Sequence, residues 1–330
     1  MTETTSILCA LVAAVLVPLA GAAHAASPPG NDGILTVRLE NDALNGTDRY
    51  YTAGQHIGWT GPVGSVPGPL AQLGHWLWGE GSQRVGLGLT QLLFTPLDTQ
   101  IAPPNPRDRP YAGLLLGGLS LIQDTPVRRD ALELDLGVIG PAALGEQVQN
   151  GFHHLIGDTP NRGWHEQLPD QPVVELMARR IWRVRLGTVG PLGVDVLPQL
   201  AVAAGTWRVA ATTGAVLRIG QGLGVDFGAP MNQPGMSGED AYATGHRFAW
   251  YVFVGGNGQA VAWDETLQGE PFRTTAHVSA RPVVGEFDAG VAVIIDGMRA
   301  SFTHAVQTTT FRGEKGGVFQ FDSVSLSIPF

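Results

Sequence analysis

Carboxylate, amide and hydroxyl side chains gather around the end of the first apolar alternating segment. Asn41 and Asp42 end that segment, and Thr52 opens the next one after a loop that contains Asp48. If the two segments pair as a hairpin, these groups come together at one edge of a sheet. The carboxylates and the amide are hard oxygen ligands of the kind that Ca²⁺ prefers. Asn and Asp also serve turn geometry, so an ordinary polar hairpin loop is the alternative.

A second cluster follows a proline-rich loop and begins at Asp108 and Arg109. At a strand edge, the Arg109 guanidinium can hold a phosphate or a carboxylate by two parallel hydrogen bonds. Arg109 is therefore a candidate for substrate binding. The alternative is a plain loop-to-strand junction, with Tyr111 in an aromatic girdle.

A third cluster lies on a segment with helical periodicity. Apolar residues recur at helical spacing from Leu144 to Ile156, and a Gly-Asp-Thr-Pro turn that contains Asp158 follows. Gln149 and His153 are four residues apart, so both project from one side of this helix. His153 can act as a general base if an acceptor or a cation completes the site, although an isolated His is more often structural.

Composition and missing motifs exclude several classes of protein. Of the 330 residues, 15% are charged and 44% are hydrophobic, whereas roughly 25% are charged in an average soluble domain. The net charge of −9 argues against a nucleic-acid partner. The sequence has no G-x-S-x-G elbow and no H-E-x-x-H stretch, so a conventional α/β-hydrolase is unsupported and a zincin is excluded.

The first 25 residues have the pattern of a secretory signal peptide. An apolar run is followed by small residues, and cleavage is expected after Ala25, which leaves residues 26–330 as one domain. The segment before the run departs from the pattern, because it carries Glu3 and no Lys or Arg. Cleavage removes Cys9, the only cysteine, and with it any thiol chemistry or disulfide. Read as a membrane anchor instead, the run is short and is broken by Pro18.

The rest of the sequence predicts an all-β fold. Segments of about ten residues with period-two alternation recur between Gly, Pro, Asn and Asp residues. We therefore predict a transmembrane antiparallel β-barrel of about twelve strands, with a short helix in an extracellular loop. A soluble periplasmic sandwich or barrel is the alternative. Besides a terminal strand, the predicted strands are 34–40, 52–59, 84–93, 111–122, 131–139, 173–184, 193–204, 214–225, 246–256, 274–283, 290–296 and 300–310.

The terminal segment alternates most clearly. Every second residue from Val324 to Phe330 is apolar, with polar residues or Pro between. Phe319 and Phe321 alternate out of phase with them, which predicts a bulge or a strand start near Asp322. The terminal Phe resembles the C-terminal recognition signal of bacterial outer-membrane barrels.

These motifs resemble those of the lipid A deacylases of the LpxR type, and the likeness runs across most of the chain after residue 25. The most specific part is the helix segment, in which Val-Gln-Asn is followed by a His. The residues that carry the resemblance are Asn41-Asp42, the Tyr-Thr-Ala-Gly block at 51–54, Asp108-Arg109, the Gly-Val-Ile-Gly-Pro block at 137–141, the Gly-Glu-Gln-Val-Gln-Asn block at 145–150 and His153.

The resemblance implies a twelve-stranded outer-membrane barrel that depends on Ca²⁺. Such a protein removes the 3′-linked acyloxyacyl group of lipid A by ester hydrolysis, at a site between the barrel wall and a short helix. His153 would be the general base that activates water. Ca²⁺ near Asp42 would polarise the ester carbonyl. The functional positions carried over by motif are Asn41, Asp42, Thr52, Gln149 and His153.

One position departs from the family pattern. A Glu is expected six residues after the His, but the chain has Thr159 there, with Asp158 next to it as a possible substitute and a candidate contact for substrate. The loop before Asp108 offers only Arg107 as a basic residue, which would weaken phosphate binding.

Three functions are consistent with this sequence. The first is a monomeric lipid A 3′-O-deacylase that acts on lipopolysaccharide among the lipids of the outer membrane. The second is an outer-membrane esterase that acts on phospholipid acyl chains. The third is a catalytically silent barrel that serves as a pore or a structural protein.

Overall fold

The computed structural model describes residues 31–231 and 239–330, so the expected signal peptide lies outside the described residues. It is a β-barrel with a few short helices. The helices are α1 (Gly68–Trp78), α2 (Gly145–Ile156) and α3 (Glu265–Gln268). The strands are β1 (Ile34–Asn41), β2 (Tyr50–Thr60), β3 (Ser82–Thr95), β4 (Ala112–Thr125), β5 (Arg128–Ile139), β6 (Gln171–Trp182), β7 (Val184–Val189), β8 (Leu192–Gly205), β9 (Arg208–Gln221), β10 (Phe248–Asp264), β11 (Val283–Ile295), β12 (Met298–Gln307) and β13 (Phe319–Pro329).

The strands close into a barrel with twelve wall positions. Neighbours along the chain pair antiparallel from β1 to β6 and from β8 to β13, β1 pairs with β13, and β6 pairs with β8. β6 and β7 are separated only by Arg183, and both pair with β8, so they form one interrupted wall strand. The predicted twelve-stranded barrel is confirmed. No helix in the described part of the chain is long and apolar enough to span a membrane.

Two ends of the barrel differ in the length of their connections. One end carries the start of β1, the end of β13, the short turns 126–127, 190–191 and 296–297, and two longer connections, 61–81 and 222–247. The other end carries one short turn, 206–207, and five longer loops, including the one with α2. Because transmembrane barrels have short periplasmic turns and long extracellular loops, the end with most of the short turns is periplasmic. Most strands extend a few residues beyond their predicted limits.

Two strand predictions need correction. The predicted strand 274–283 is wrong, because residues 274–282 form a loop after α3 and only Val283 belongs to a strand, β11. The apolar side chain of Val278 packs with Leu267 at the barrel mouth, and its backbone N–H donates to the Leu267 carbonyl at 2.7 Å, so its apolar character serves packing rather than alternation. The separate strand β7, in contrast, was not predicted.

The terminal strand also contains no bulge. Its pairing with β1 and with β12 runs in one register through Asp322. Phe319 and Phe321 share the lumen-facing side with Ser323, and they pack in a buried apolar cluster in the extracellular half of the lumen. The strand therefore keeps one alternation throughout. What changes along it is the type of lumen-facing residue, from aromatic rings to small serines.

Along the wall, large apolar residues face outward and small ones face inward. In β4 and its neighbour β3, Leu87 and Leu119 point outward and are 54% and 38% exposed. Gly88, Gly118 and Ser120 face the lumen. This arrangement explains the nearly continuous apolar character of β4 and gives the outer face the apolar band of a membrane barrel.

The periplasmic half of the lumen is filled by charged groups. The described parts of the β9–β10 connection enter it and bring Asp226 against the wall residue Arg218, whose guanidinium donates to it at 2.6 Å. Arg218 also makes two bonds to Asp195, at 2.9 and 2.7 Å. All three residues are at most 1% exposed. Between this network and the apolar cluster of the extracellular half lies a cavity of about 140 Å³.

This network gives a stability prediction. Arg218→Met removes the closest cation from both carboxylates: Asp195 keeps Arg183 at 3.7 Å, and Asp226 keeps the Tyr251 hydroxyl at 2.8 Å and Arg299 at 3.5 Å. Breaking a buried pair costs about 3–5 kcal/mol. We expect a lower midpoint in urea unfolding of the detergent-folded protein, followed by tryptophan fluorescence. The control is Arg247→Met, because Arg247 is 95% exposed and lies 3.9 Å from Asp296. It should change stability by less than about 0.5 kcal/mol. Equal midpoints for the two variants would contradict the role of the network.

Candidate active site

Helix α2 lies against the outer face of the barrel wall, near the extracellular end of β3. Gln91 on the outer face donates to the Ala143 carbonyl just before the helix at 2.6 Å. At the start of the helix, a Cβ on Gly145 would lie 2.7 Å from ring atoms of Trp164, in the loop after the helix, and 3.1 Å from the wall residue Leu93. Glycine therefore allows the helix to approach both Trp164 and the wall closely. The helix ends at Gly157, which has a left-handed φ of 75°.

The helix turns its polar stripe to the wall and an apolar stripe outward. Gly145, Gln149 and His153 are buried, whereas Val148 and Leu155 are 37% and 65% exposed. This is the reverse of a helix on a soluble protein. The predicted side shared by Gln149 and His153 is confirmed, and it faces β2.

A bulge in β2 directs Thr52 toward this helix. Tyr51 pairs with Phe94, and Ala53 pairs with Leu93, so Thr52 is the extra residue of the pair of strands. Tyr51 points into the lumen, where its hydroxyl donates to Glu40 at 2.6 Å. The bulge lets Thr52 point outward beside Ala53, as bulges near functional sites commonly redirect a side chain.

Asp48 is the centre of the polar cluster between the wall and α2. Its Oδ1 accepts hydrogen bonds from Thr52 Oγ1 at 2.5 Å and from Gln149 Nε2 at 2.7 Å. Its Oδ2 accepts from Asn161 Nδ2 at 2.9 Å and from Thr99 Oγ1 at 3.5 Å. One carboxylate thus joins the hairpin loop, the bulge, the helix and the segment after the helix.

His153 presents one nitrogen to Asp48. Its Nδ1 lies 3.0 Å from the Thr159 carbonyl, which can only accept, so Nδ1 carries the proton and donates it. Its Nε2 then has the free lone pair and lies 3.8 Å from Asp48 Oδ2. The side chain is 9% exposed. The backbone carbonyl of Thr159 therefore fixes the tautomer that a general base needs.

Asp42 and Asn41 support the cluster from the end of β1. Asp42 is 1% exposed, and its Oδ2 accepts from Thr47 Oγ1 at 2.7 Å and from the Arg49 N–H at 2.9 Å. Burial raises the pKa of Asp42 to about 7, against the effect of these hydrogen bonds. Asn41 donates to the Thr52 carbonyl at 2.9 Å and so holds the bulge in place.

The other two predicted residues lie apart from the cluster. Arg109 turns into the extracellular mouth of the lumen, where its guanidinium lies 4.4 Å from the Phe94 ring centre and donates to Thr266 at 3.0 Å. Burial lowers its pKa. Asp158 is exposed and accepts from the Thr159 N–H at 2.7 Å. The structure brings neither side chain to His153.

Carboxylate, amide and hydroxyl oxygens lie together around Asp48. These are the kinds of ligand that Ca²⁺ takes. Asn161 Oδ1 is buried without a hydrogen-bond partner among the described residues, on the amide that bonds Asp48. No three His, Cys, Asp or Glu side chains in the described residues come close enough to hold a metal. Any ion here would thus depend on neutral oxygens as well as on Asp42 and Asp48.

The sequence did not single out three residues of this cluster as site residues. Asp48 appeared only as one of two loop carboxylates, and Asn161 and Trp164 carried no role. Trp164 Nε1 donates to Gln149 Oε1 at 2.9 Å, which orients the amide so that Nε2 faces Asp48. For Asn161 and Trp164 the available sequence signal was position, since both follow His153 by about ten residues in the same loop.

Comparison with known proteins agrees with this architecture. The family model described as outer membrane protein LpxR matches residues 7–330. The structure of LpxR from Salmonella typhimurium superposes with a TM-score of 0.74 at 20% identity, covering 90% of this chain and 100% of that chain. The beta domain of the Bordetella autotransporter BrkA reaches a TM-score of 0.42 at 11% identity, covering 92% and 100%. No curated protein matches the chain. Because the family model matches nearly the whole chain, the protein belongs to the LpxR family of outer membrane proteins.

Proposed function

We propose that this outer membrane protein is a monomeric, Ca²⁺-dependent lipid A 3′-O-deacylase. The observation that carries the proposal is the arrangement of His153, with its free Nε2 beside Asp48 on the outer side of the wall. A base on that side can reach an ester only if the ester belongs to a membrane lipid. At the extracellular end of the barrel, the lipid of the outer leaflet is lipopolysaccharide.

The surface around the cluster supports a lipid substrate. The outward stripe of α2 exposes Leu144, Val148 and Leu155, with Leu144 50% exposed. Apolar side chains in this position border the acyl chains of the membrane. The acyl chain of the substrate would lie along this stripe while its ester enters the polar cleft between α2 and β2.

His153 Nε2 would remove a proton from a water molecule as the water oxygen attacks the ester carbonyl carbon. The resulting imidazolium faces Asp48 Oδ2, whose negative charge stabilises it. When the tetrahedral intermediate collapses, the C–O bond to the sugar breaks and His153 returns the proton to the sugar oxygen. The products are a carboxylic acid and a free 3′-hydroxyl group.

Other residues hold this geometry. Thr52 and Gln149 both donate to Asp48 Oδ1, which keeps its second oxygen directed at His153. Asp42, Asp48 and Asn161 are the residues that would hold Ca²⁺. When bound, the ion would polarise the ester carbonyl and stabilise the negative charge that develops on its oxygen.

The proposed function predicts that activity requires both Ca²⁺ and the base His153. In cells that express the chain, mass spectrometry of lipid A should show loss of the 3′ acyloxyacyl mass, and EGTA should prevent that loss in isolated membranes until Ca²⁺ is restored. His153→Ala should lower the rate by about 10²–10⁴-fold, the usual contribution of a general base.

Each failure has a different meaning. Intact lipid A together with cleaved phospholipid would favour the phospholipid esterase. Intact lipids of both kinds, with folded protein in the membrane, would favour the silent barrel. Activity that survives EGTA would contradict the Ca²⁺ requirement but would not contradict the role of His153 as the base.

A further prediction distinguishes the role of Asp48 from that of Asp158. Asp48→Asn keeps the size of the side chain but removes the charge that faces His153, and loss of such a supporting partner typically costs 10–100-fold in activity. Asp158→Asn is the matched control, because Asp158 is exposed and, among the described residues, its carboxylate accepts a hydrogen bond only from the neighbouring Thr159 N–H. Its deacylation rate should stay within about twofold of the parent, since no reacting group depends on it. Initial rates on purified lipid A in mixed micelles would test this, and equal rates for the two variants would refute the role of Asp48.

A further inference from the structure

Helix α1 lies against the outer face of the wall at the periplasmic end. A Cβ on Gly74 would lie 2.6 Å from the Gln83 amide nitrogen and 3.4 Å from Leu121, so the helix packs directly on β3 and β4. Gln83 and Gln123 point outward, because their neighbours Arg84 and Ile122 face the lumen. The helix therefore lies on the membrane side of the barrel rather than below it.

The helix covers a polar pair at the edge of the apolar band. Gln83 donates to Gln123 at 2.7 Å and to the Ala71 carbonyl at 3.2 Å, and Gln123 donates to the Gly79 carbonyl at 3.1 Å. Four residues farther along each strand, Leu87 and Leu119 pair with each other on the exposed outer face. At about 3.4 Å per residue, α1 lies roughly 14 Å from this apolar pair.

The side of α1 that faces away from the wall is amphipathic. Trp76 is 80% exposed and Leu77 is 39% exposed. Gln72 and His75 are also exposed, and they form a polar stripe at a spacing of three residues. Trp is enriched where membrane meets water, because its ring is apolar and its N–H is polar. The pattern fits a helix that lies flat in a membrane surface.

Two guanidinium groups flank the helix on the same outer face. Arg128 donates to the Trp78 carbonyl at the end of α1 at 2.7 Å, and it contacts Asp130 at 2.6 Å. Arg180 contacts the other oxygen of Asp130 at 2.5 Å and lies 5.9 Å from the ring centre of Trp182. With two cations and one carboxylate, this group keeps one positive charge, and Arg180 is 37% exposed.

We propose that α1 and these arginines form a phospholipid-binding site in the periplasmic leaflet. Trp76 and Leu77 contact the acyl chains near the headgroups, and Arg180 binds the headgroup phosphate. The site continues the lipid-facing band of the wall, and its positive charge complements the phosphate. It lies at the opposite end from His153, so it is independent of the proposed catalysis.

The first test measures which residues of α1 lie in lipid. In a Cys9→Ser background, Trp76→Cys and His75→Cys each provide one labelling position for a nitroxide. In vesicles of phosphatidylethanolamine and phosphatidylglycerol, the label at 76 should collide more with oxygen, and the label at 75 more with a water-soluble nickel chelate. Leu119→Cys serves as the lipid-facing reference. Equal nickel accessibility at 75 and 76 would overturn the membrane contact and favour exposure to water or a protein partner.

The second test measures headgroup binding with spin-labelled phosphatidylglycerol as the probe. Arg180→Gln leaves Arg128 to neutralise Asp130, so the barrel should fold. One arginine near a lipid surface contributes about 1 kcal/mol, which corresponds to about fivefold weaker binding of the probe. Arg273→Gln, an exposed arginine at the extracellular end, is the control. Unchanged binding in Arg180→Gln would overturn the headgroup site, even if Trp76 contacts lipid.

Discussion

A polar site on the lipid-facing side of a barrel wall must be covered, because each unsatisfied polar group in hydrocarbon costs several kcal/mol. Helix α2 meets this constraint by turning Gln149 and His153 to the wall and its leucines outward. Asp48 meets it by accepting hydrogen bonds on both carboxylate oxygens. The covering helix and the hydrogen-bonded carboxylate together would allow the proposed chemistry at a position that would otherwise contact only acyl chains.

The lumen follows a different rule, since no lipid reaches it. Its extracellular half holds a cluster of aromatic and aliphatic side chains together with buried polar groups such as Glu40, Arg208 and Glu286, and its periplasmic half holds paired charges around Arg218. A filled lumen is consistent with a barrel that serves as a scaffold for its outer face and not as a channel. It also explains why Arg109 lies where it does. The residue lies near the end of the loop between β3 and β4, and its guanidinium contacts an aromatic ring and a hydroxyl at the mouth.

Much of this could be predicted from sequence, because the membrane imposes a strict period on the strands and the helix repeats at i and i+4. The approximate number of strands, the helix and the side shared by Gln149 and His153 follow from those periods. The bulge at Thr52 could not be predicted, since one extra residue is visible only from the pairing of Tyr51 and Ala53 with β3. The contacts of Asp48 were equally hidden, because Asn161 is 113 residues away in sequence. The strand prediction for residues 274–283 was wrong because apolar loop residues such as Val278, which pack at the mouth, give a sequence pattern like that of a strand.

Helices α1 and α2 both cover polar side chains on the outer face of the wall, but the side chains that they cover differ in chemistry. Both pack on outward positions of β3 and β4, and both use glycine at the contact, Gly74 in α1 and Gly145 in α2. In α1 the covered groups are neutral amides that bond each other, so the pair has no charge with which to activate a reactant. In α2 the covered groups include a carboxylate and an imidazole with a free lone pair, held apart at 3.8 Å. The difference in chemistry between the two ends thus comes from which side chains the helices cover, not from a difference in how they are held.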